Sequence, residues 1–177
     1  MPPMDTAISR RTLLAAGLVL PLWPASAQVN TSARRELQFP RDLGSHGDHA
    51  IEWWYLTGRL LSGQQEFGFQ LTFFRSRVPG TQGMTSAFAA KQLIFAHAAV
   101  TDVSGKKLWH DQRIARAGFG LAQASEQDTD VALRDWSLRH DGARYRAVAR
   151  SKNFAFELEL TPTQALLLQG ERGLSRI

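Results

Sequence analysis

Glu52-Trp53-Trp54-Tyr55 joins one carboxyl group to three consecutive large aromatic side chains. A carboxylic acid in an apolar setting keeps its proton and can donate it to a substrate. Aromatic faces beside it can stabilise a transient cation. The same residues also suit a structural role, with Glu52 capping a strand or pairing with Arg59 or Arg75 and the aromatics serving as core. His46 and His49 lie three apart in a Gly- and Asp-rich stretch, with Asp42 and Asp48 nearby, so metal ligation is one reading. Two imidazoles at that spacing share a face in a helix, and Gly44 and Gly47 argue against a helix, so loop histidines are the better reading and no metal is assigned. His97, between Phe95-Ala96 and Ala98-Ala99, reads as a hydrogen-bonded core histidine, with a pocket-lining proton carrier as the alternative.

The elements that would position these groups are short strands. Phe67, Phe69, Leu71 and Phe73 alternate with Gly68, Gln70 and Thr72, the period of a half-buried strand. Ser62-Gly63 links this strand to one spanning Trp53 to Leu61, predicting a hairpin. Pro79-Gly80 and Gly83 predict a long loop within residues 75–86, and an apolar strand follows from Leu93 to Val100. Ser104-Gly105-Lys106 turns that strand into Lys107 to Ile114. Residues 115–130 are weakly patterned and predict a loop, with room for a short helix. Asp141-Gly142 predicts a turn between Trp136–His140 and Ala143–Ser151. Phe154, Phe156, Leu158 and Leu160 give the cleanest alternation, Pro162 ends it, and Ala165–Leu168 predicts one more strand. Roughly eight strands without βαβ alternation predict an all-β antiparallel barrel or sandwich. In the barrel form Trp53, Tyr55, Phe67, Phe69, Phe73 and Phe95 would line an apolar cavity.

Residues 1–27 read as a signal peptide of twin-arginine type. Arg10-Arg11 precedes an apolar stretch from Leu13 to Leu22, and Ala25-Ser26-Ala27 supplies the small residues of a cleavage site. The apolar stretch is too short for a spanning helix, so a periplasmic or secreted, non-transmembrane product is expected. Residues 28–45 read as a linker. The chain has no cysteine, which excludes disulfide staples, thiolate nucleophiles and cysteine-bound metals. A net charge of +5 with dispersed arginines, such as Arg139, Arg144, Arg146 and Arg150, fits a solvated sheet face and not nucleic-acid binding. No Gly-x-Ser-x-Gly elbow is present, and Gly118-Phe119-Gly120 is too short to cradle phosphate. About 150 residues beyond the signal can bury roughly two-thirds of their unfolded surface.

His46 with Glu52-Trp53-Trp54-Tyr55-Leu56-Thr57-Gly58, Phe67 to Arg75, Ala96 to Asp102, Asp135-Trp136 and Gln169 to Ser175 together resemble the AttH-like family, which includes the carotenoid 1,2-hydratases. The resemblance runs from His46 to Ser175 and implies that residues 46–177 are the first of two lipocalin-like domains. The chain stops soon after its last strand and reads as a fragment or one half of a longer protein. The implied activity is cofactor-free, acid-assisted hydration of a hydrophobic polyene such as a carotenoid, or related lipid chemistry. Members are also described as secreted hydrolases. Glu52 and His97 are then the catalytic candidates, and Trp53, Trp54, Tyr55, Phe69, Gln70, Phe73 and Arg75 the substrate-binding ones. A non-catalytic lipid carrier associated with a membrane export complex is the rival expectation.

Overall fold

The computed structural model describes residues 36–173. The signal peptide read at residues 1–27, and residues 28–35 of the linker after it, lie outside the described residues. Nine strands form, in two antiparallel sheets with no pairing between them among the described residues. The first sheet is a meander of β1 (Ile51–Ser62), β2 (Gln65–Arg77), β3 (Gln92–Asp102) and β4 (Lys107–Arg116). The second is a meander of β5 (Ala122–Ala124), β6 (Asp130–Leu133), β7 (Trp136–His140), β8 (Tyr145–Arg150) and β9 (Ala155–Leu160).

Local chemistry sets the connections. Ser62 pairs with Gln65, so β1 and β2 are joined by a two-residue turn, with Gly63 at a φ of 61° that costs glycine nothing. Between β6 and β7 the turn is Arg134-Asp135, and Arg134 takes a φ of 57° there. The predicted Asp141-Gly142 turn joins β7 to β8, with the Asp141 carboxylate accepting from the backbone N–H of Arg144 at 2.8 Å.

Strand alternation decides what is buried. The register aligns Trp54, Phe73 and Ala96 across β1–β3, and Leu56, Leu71 and Ala98 one step along. Leu71, Phe73, Ile94, Ala96 and Ala98 meet Val131, Leu133, Trp136, Leu138, Ala147 and Ala149 of the second sheet in one core. Trp136 has no accessible surface, and its Nε1 donates to the Arg150 carbonyl at 2.7 Å. The Arg113 guanidinium lies 4.5 Å above the Trp136 ring while also binding Asp135 and the Arg150 carbonyl. The fully buried tryptophan of this core thus has its polar tip satisfied.

The all-β antiparallel expectation holds, and several finer expectations do not. No closed barrel forms among the described residues, because the two meanders stay separate. Trp53 and Tyr55 point away from the core and are 57% and 62% exposed, because their even-numbered neighbours Glu52, Trp54 and Leu56 take the inner face. Phe69 and Phe73 are core residues and not cavity walls, and Phe95 sits opposite Phe74 on the outer face. Residues 115–130 contain β5 and no helix. No strand forms at Ala165–Leu168, where Leu166 and Leu167 are exposed.

The two tryptophan environments predict opposite responses. Trp136→Ala should lower unfolding stability by about 3–5 kcal/mol. Trp53→Ala should change it by no more than about 0.5 kcal/mol. Urea denaturation of the two variants measures both, and similar losses would contradict the packing described.

Candidate functional site

A short 3₁₀ turn at Arg41–Leu43 and the loop after it lead into β1. This segment, the last part of the stretch read as a linker, is hydrogen-bonded to β1 and to the connection between β5 and β6. The Leu43 carbonyl accepts from Trp54 Nε1 at 2.8 Å and from the Thr129 hydroxyl at 3.0 Å. Ser45 is buried, and its N–H donates to the Ser125 carbonyl at 2.7 Å. Gly44 passes so close to Glu126 that a Cβ would sit 2.9 Å from its carbonyl carbon. Any side chain there would push the loop off the second sheet.

The anchored loop delivers His46 to Glu52. The His46 backbone N–H points at both Glu52 oxygens, at 2.9 and 2.8 Å. The His46 ring meets Glu52 Oε1 through Nδ1 at 2.5 Å and Asp42 Oδ1 through Nε2 at 2.9 Å. Each nitrogen of the ring thus has a carboxylate oxygen within hydrogen-bond reach. His49 is brought alongside by a turn in which its N–H donates to the His46 carbonyl at 2.9 Å. The two rings stack with centroids 4.8 Å apart, and His49 Nδ1 lies 3.4 Å from Glu52 Oε1. A turn thus places these histidines on one side without a helix.

Arg75 locks the arrangement from beneath. It has no accessible surface, yet its charge is answered by Glu52 Oε2, which accepts from Nε at 2.6 Å. Its Nη2 donates to the carbonyls of His46 and His49 at 2.7 and 2.8 Å, leaving Nη1 as a buried donor without a protein acceptor. Of the two arginines expected as partners for Glu52, Arg75 takes that place, while Arg59 lies 3.4 Å from Glu66. Arg75 organises the loop and is not among the residues lining the cleft.

Beside this cluster lies an open cleft of about 610 Å³. His46, His49 and Glu52 form its polar side, with the buried Asp42 carboxylate behind His46, and Trp54, Leu56, Leu138 and Tyr145 form its apolar side. The rings of Tyr145 and His140 stack at 4.4 Å, and His140 Nδ1 meets Asp128 at 2.9 Å. Burial, and then the Asp128 charge, push the Tyr145 phenol above its ordinary range, so it enters the cleft as a neutral hydroxyl.

The expected site residues divide accordingly. Glu52, Trp53, Trp54 and Tyr55 all border the cleft, although Trp53 and Tyr55 do so from the exposed face of β1. Phe69 and Phe73 are buried in packing, and Gln70 is exposed on the outer face, donating to Thr72 at 3.2 Å. His97 corrects the core-histidine expectation. It is exposed on the outer face of β3 with its ring edge-on to Phe74, because Ala96 and Ala98 take the inward positions. Asp42, Leu138 and Tyr145 were not singled out as binding residues, since only the packing of the second sheet against β1 brings the last two there.

Comparison with known proteins gives the lineage. The AttH-like family profile matches residues 30–177. The chain belongs to the AttH-like family. The crystal structure of a candidate AttH protein from Nitrosomonas europaea is similar, at 46% identity and a TM-score of 0.70 over 81% of this chain. The match spans 43% of that protein, so this chain corresponds to less than half its length. A comparison with curated proteins gives no match.

A buried charge that loses its partner is costly, so Glu52→Ala should destabilise the fold by about 3–5 kcal/mol. Glu66→Ala, which removes the partner of exposed Arg59, should cost less than about 1 kcal/mol. Thermal or urea unfolding of the two variants checks the ordering.

Proposed function

We propose that this AttH-like protein is an exported, lipocalin-like module that takes a hydrophobic polyene or related lipid into the cleft between β1 and the β7–β8 hairpin and hydrates it with acid assistance. The observation that carries this reading is the division of the cleft. An apolar side of Trp54, Leu56, Leu138 and Tyr145 shares the cleft with the 2.5 Å contact between His46 Nδ1 and Glu52 Oε1, which we read as the source of the transferred proton. Hydration of an alkene needs that combination. The proton passes to one alkene carbon, a water oxygen bonds to the other, and the spare water proton returns to the imidazole–carboxylate pair. The Trp54 and Tyr145 rings border the cleft, and in this reading they stabilise the intervening cation. Glu52 acts here through His46, and His97 has no part, being on the opposite face of the sheet.

Export is supported by the twin-arginine pattern and the apolar stretch after it. Among the described residues no helix is long and apolar enough to cross a membrane. The carrier reading, a lipid-binding module working beside a membrane export complex, is favoured by one specific feature. Both Glu52 oxygens already accept from Arg75 or His46, as in a site built to hold its shape.

Incubating the protein with an acyclic carotenoid in oxygen-18 water separates the readings. Label in the product, reduced about 10²–10⁴-fold by Glu52→Gln, is the expected result for the hydratase. Bound polyene without label supports the carrier. Label incorporation that Glu52→Gln leaves unchanged would remove this cluster from the reaction.

A further inference from the structure

We propose that His46, His49 and Glu52 form a binding site for a divalent transition-metal cation of the Zn²⁺ type. One ligand atom from each residue lies within 4.8 Å of the others. Two imidazoles and a carboxylate suit zinc, and a three-residue set leaves a coordination position for water or a ligand. Zinc bonds of about 2.0–2.1 Å place tetrahedral ligand atoms roughly 3.3 Å apart. His49 Nδ1 is already 3.4 Å from Glu52 Oε1, and the 2.5 Å contact between His46 Nδ1 and that oxygen is the one a cation would open.

The groups standing behind the ligands also fit a metal site. Metal-bound imidazoles characteristically donate their other N–H to a carboxylate, and ligating carboxylates are themselves hydrogen-bonded. His46 meets Asp42 through Nε2 at 2.9 Å, which leaves Nδ1 directed at the centre of the cluster. Glu52 spends Oε2 on Arg75 at 2.6 Å, leaving Oε1 directed at both histidines. The supporting groups are buried, with no exposure for the Asp42 and Arg75 side chains, whereas His49 is 51% exposed. Two ligands are thus held rigidly, and the third is an accessible arm on the cleft side that can close on an entering ion. Gly47 next to His46, and the turn from His46 to His49, give the arm its short reach. Binding would release the proton between His46 and Glu52, so the cation and the acid step proposed above exclude each other at these atoms. The site itself follows from the side-chain geometry and requires no particular substrate.

The test uses the full chain, stripped of metal with a chelator and titrated with ZnCl₂ by calorimetry and with CoCl₂ by visible absorption. The expected result is saturable binding of one equivalent, with a Co²⁺ spectrum of low-symmetry nitrogen and oxygen ligation. His49→Ala should weaken binding roughly ten- to hundredfold. Because the His49 side chain is half exposed, its thermal midpoint in chelator should stay at the wild-type value. His97→Ala, which alters another exposed histidine, should bind as wild type does. Absence of saturable binding, a His49→Ala variant that titrates like wild type, or an equal loss in His97→Ala would each overturn the proposal.

Discussion

A guanidinium with no access to water must find its counter-charge and acceptors inside the protein, and Arg75 organises one end of this molecule by that requirement. β2 delivers Arg75 on the face that also carries Phe69, Leu71 and Phe73, so its charge enters an apolar layer. Glu52, directly across on β1, neutralises it, and the carbonyls of His46 and His49 absorb a further donor. The loop before β1 is thereby folded down over the strand ends. Its Leu43 carbonyl then receives Trp54 from one sheet and Thr129 from the other. One ion pair thus links the start of the domain to both sheets.

The two faces of the first sheet solve different problems. Inside, alanines at 96 and 98 let the second sheet approach closely, and Trp136 fills the space with its polar tip satisfied. Outside, Trp53, Phe74, Phe95 and Ile114 stand in one register row across all four strands, with Trp53 and Ile114 more than half exposed. The outer face of the second sheet is polar instead. There Arg139 pairs with Asp130, Arg144 with Glu159, and Arg146 with Glu157. Such exposed pairs contribute little stability but keep that face solvated.

The same asymmetry makes the cleft amphipathic. Its polar side is braced where Asp42 meets His46, His46 meets Glu52 and Glu52 pairs with Arg75 beneath, while His49 stands half exposed at its edge. Its apolar side is assembled from strands of different sheets, Trp54 and Leu56 from β1 with Leu138 and Tyr145 from β7 and β8. A ligand there would meet a fixed hydrogen-bonding wall and a surface that excludes water, the usual constitution of a small-molecule site.

Much of this was legible in the chain. Period-two alternation, Ser62-Gly63 and Asp141-Gly142 specify strands and hairpins through local sterics, which need no knowledge of neighbours. Glu52 beside three aromatics, with Arg75 among its possible partners, is equally plain in the sequence. Alternation shows that Trp53 and Trp54 face opposite ways, but not which side is the core. That depends on where the second sheet packs, a contact between residues some 80 positions apart in the chain, as in the bond from Thr129 to Leu43. For the same reason His97, set among alanines and phenylalanine, read as a buried residue and proved exposed. Tertiary structure alone decided that the loop histidines converge on Glu52, because a buried guanidinium draws in whatever carbonyls and carboxylates can reach it.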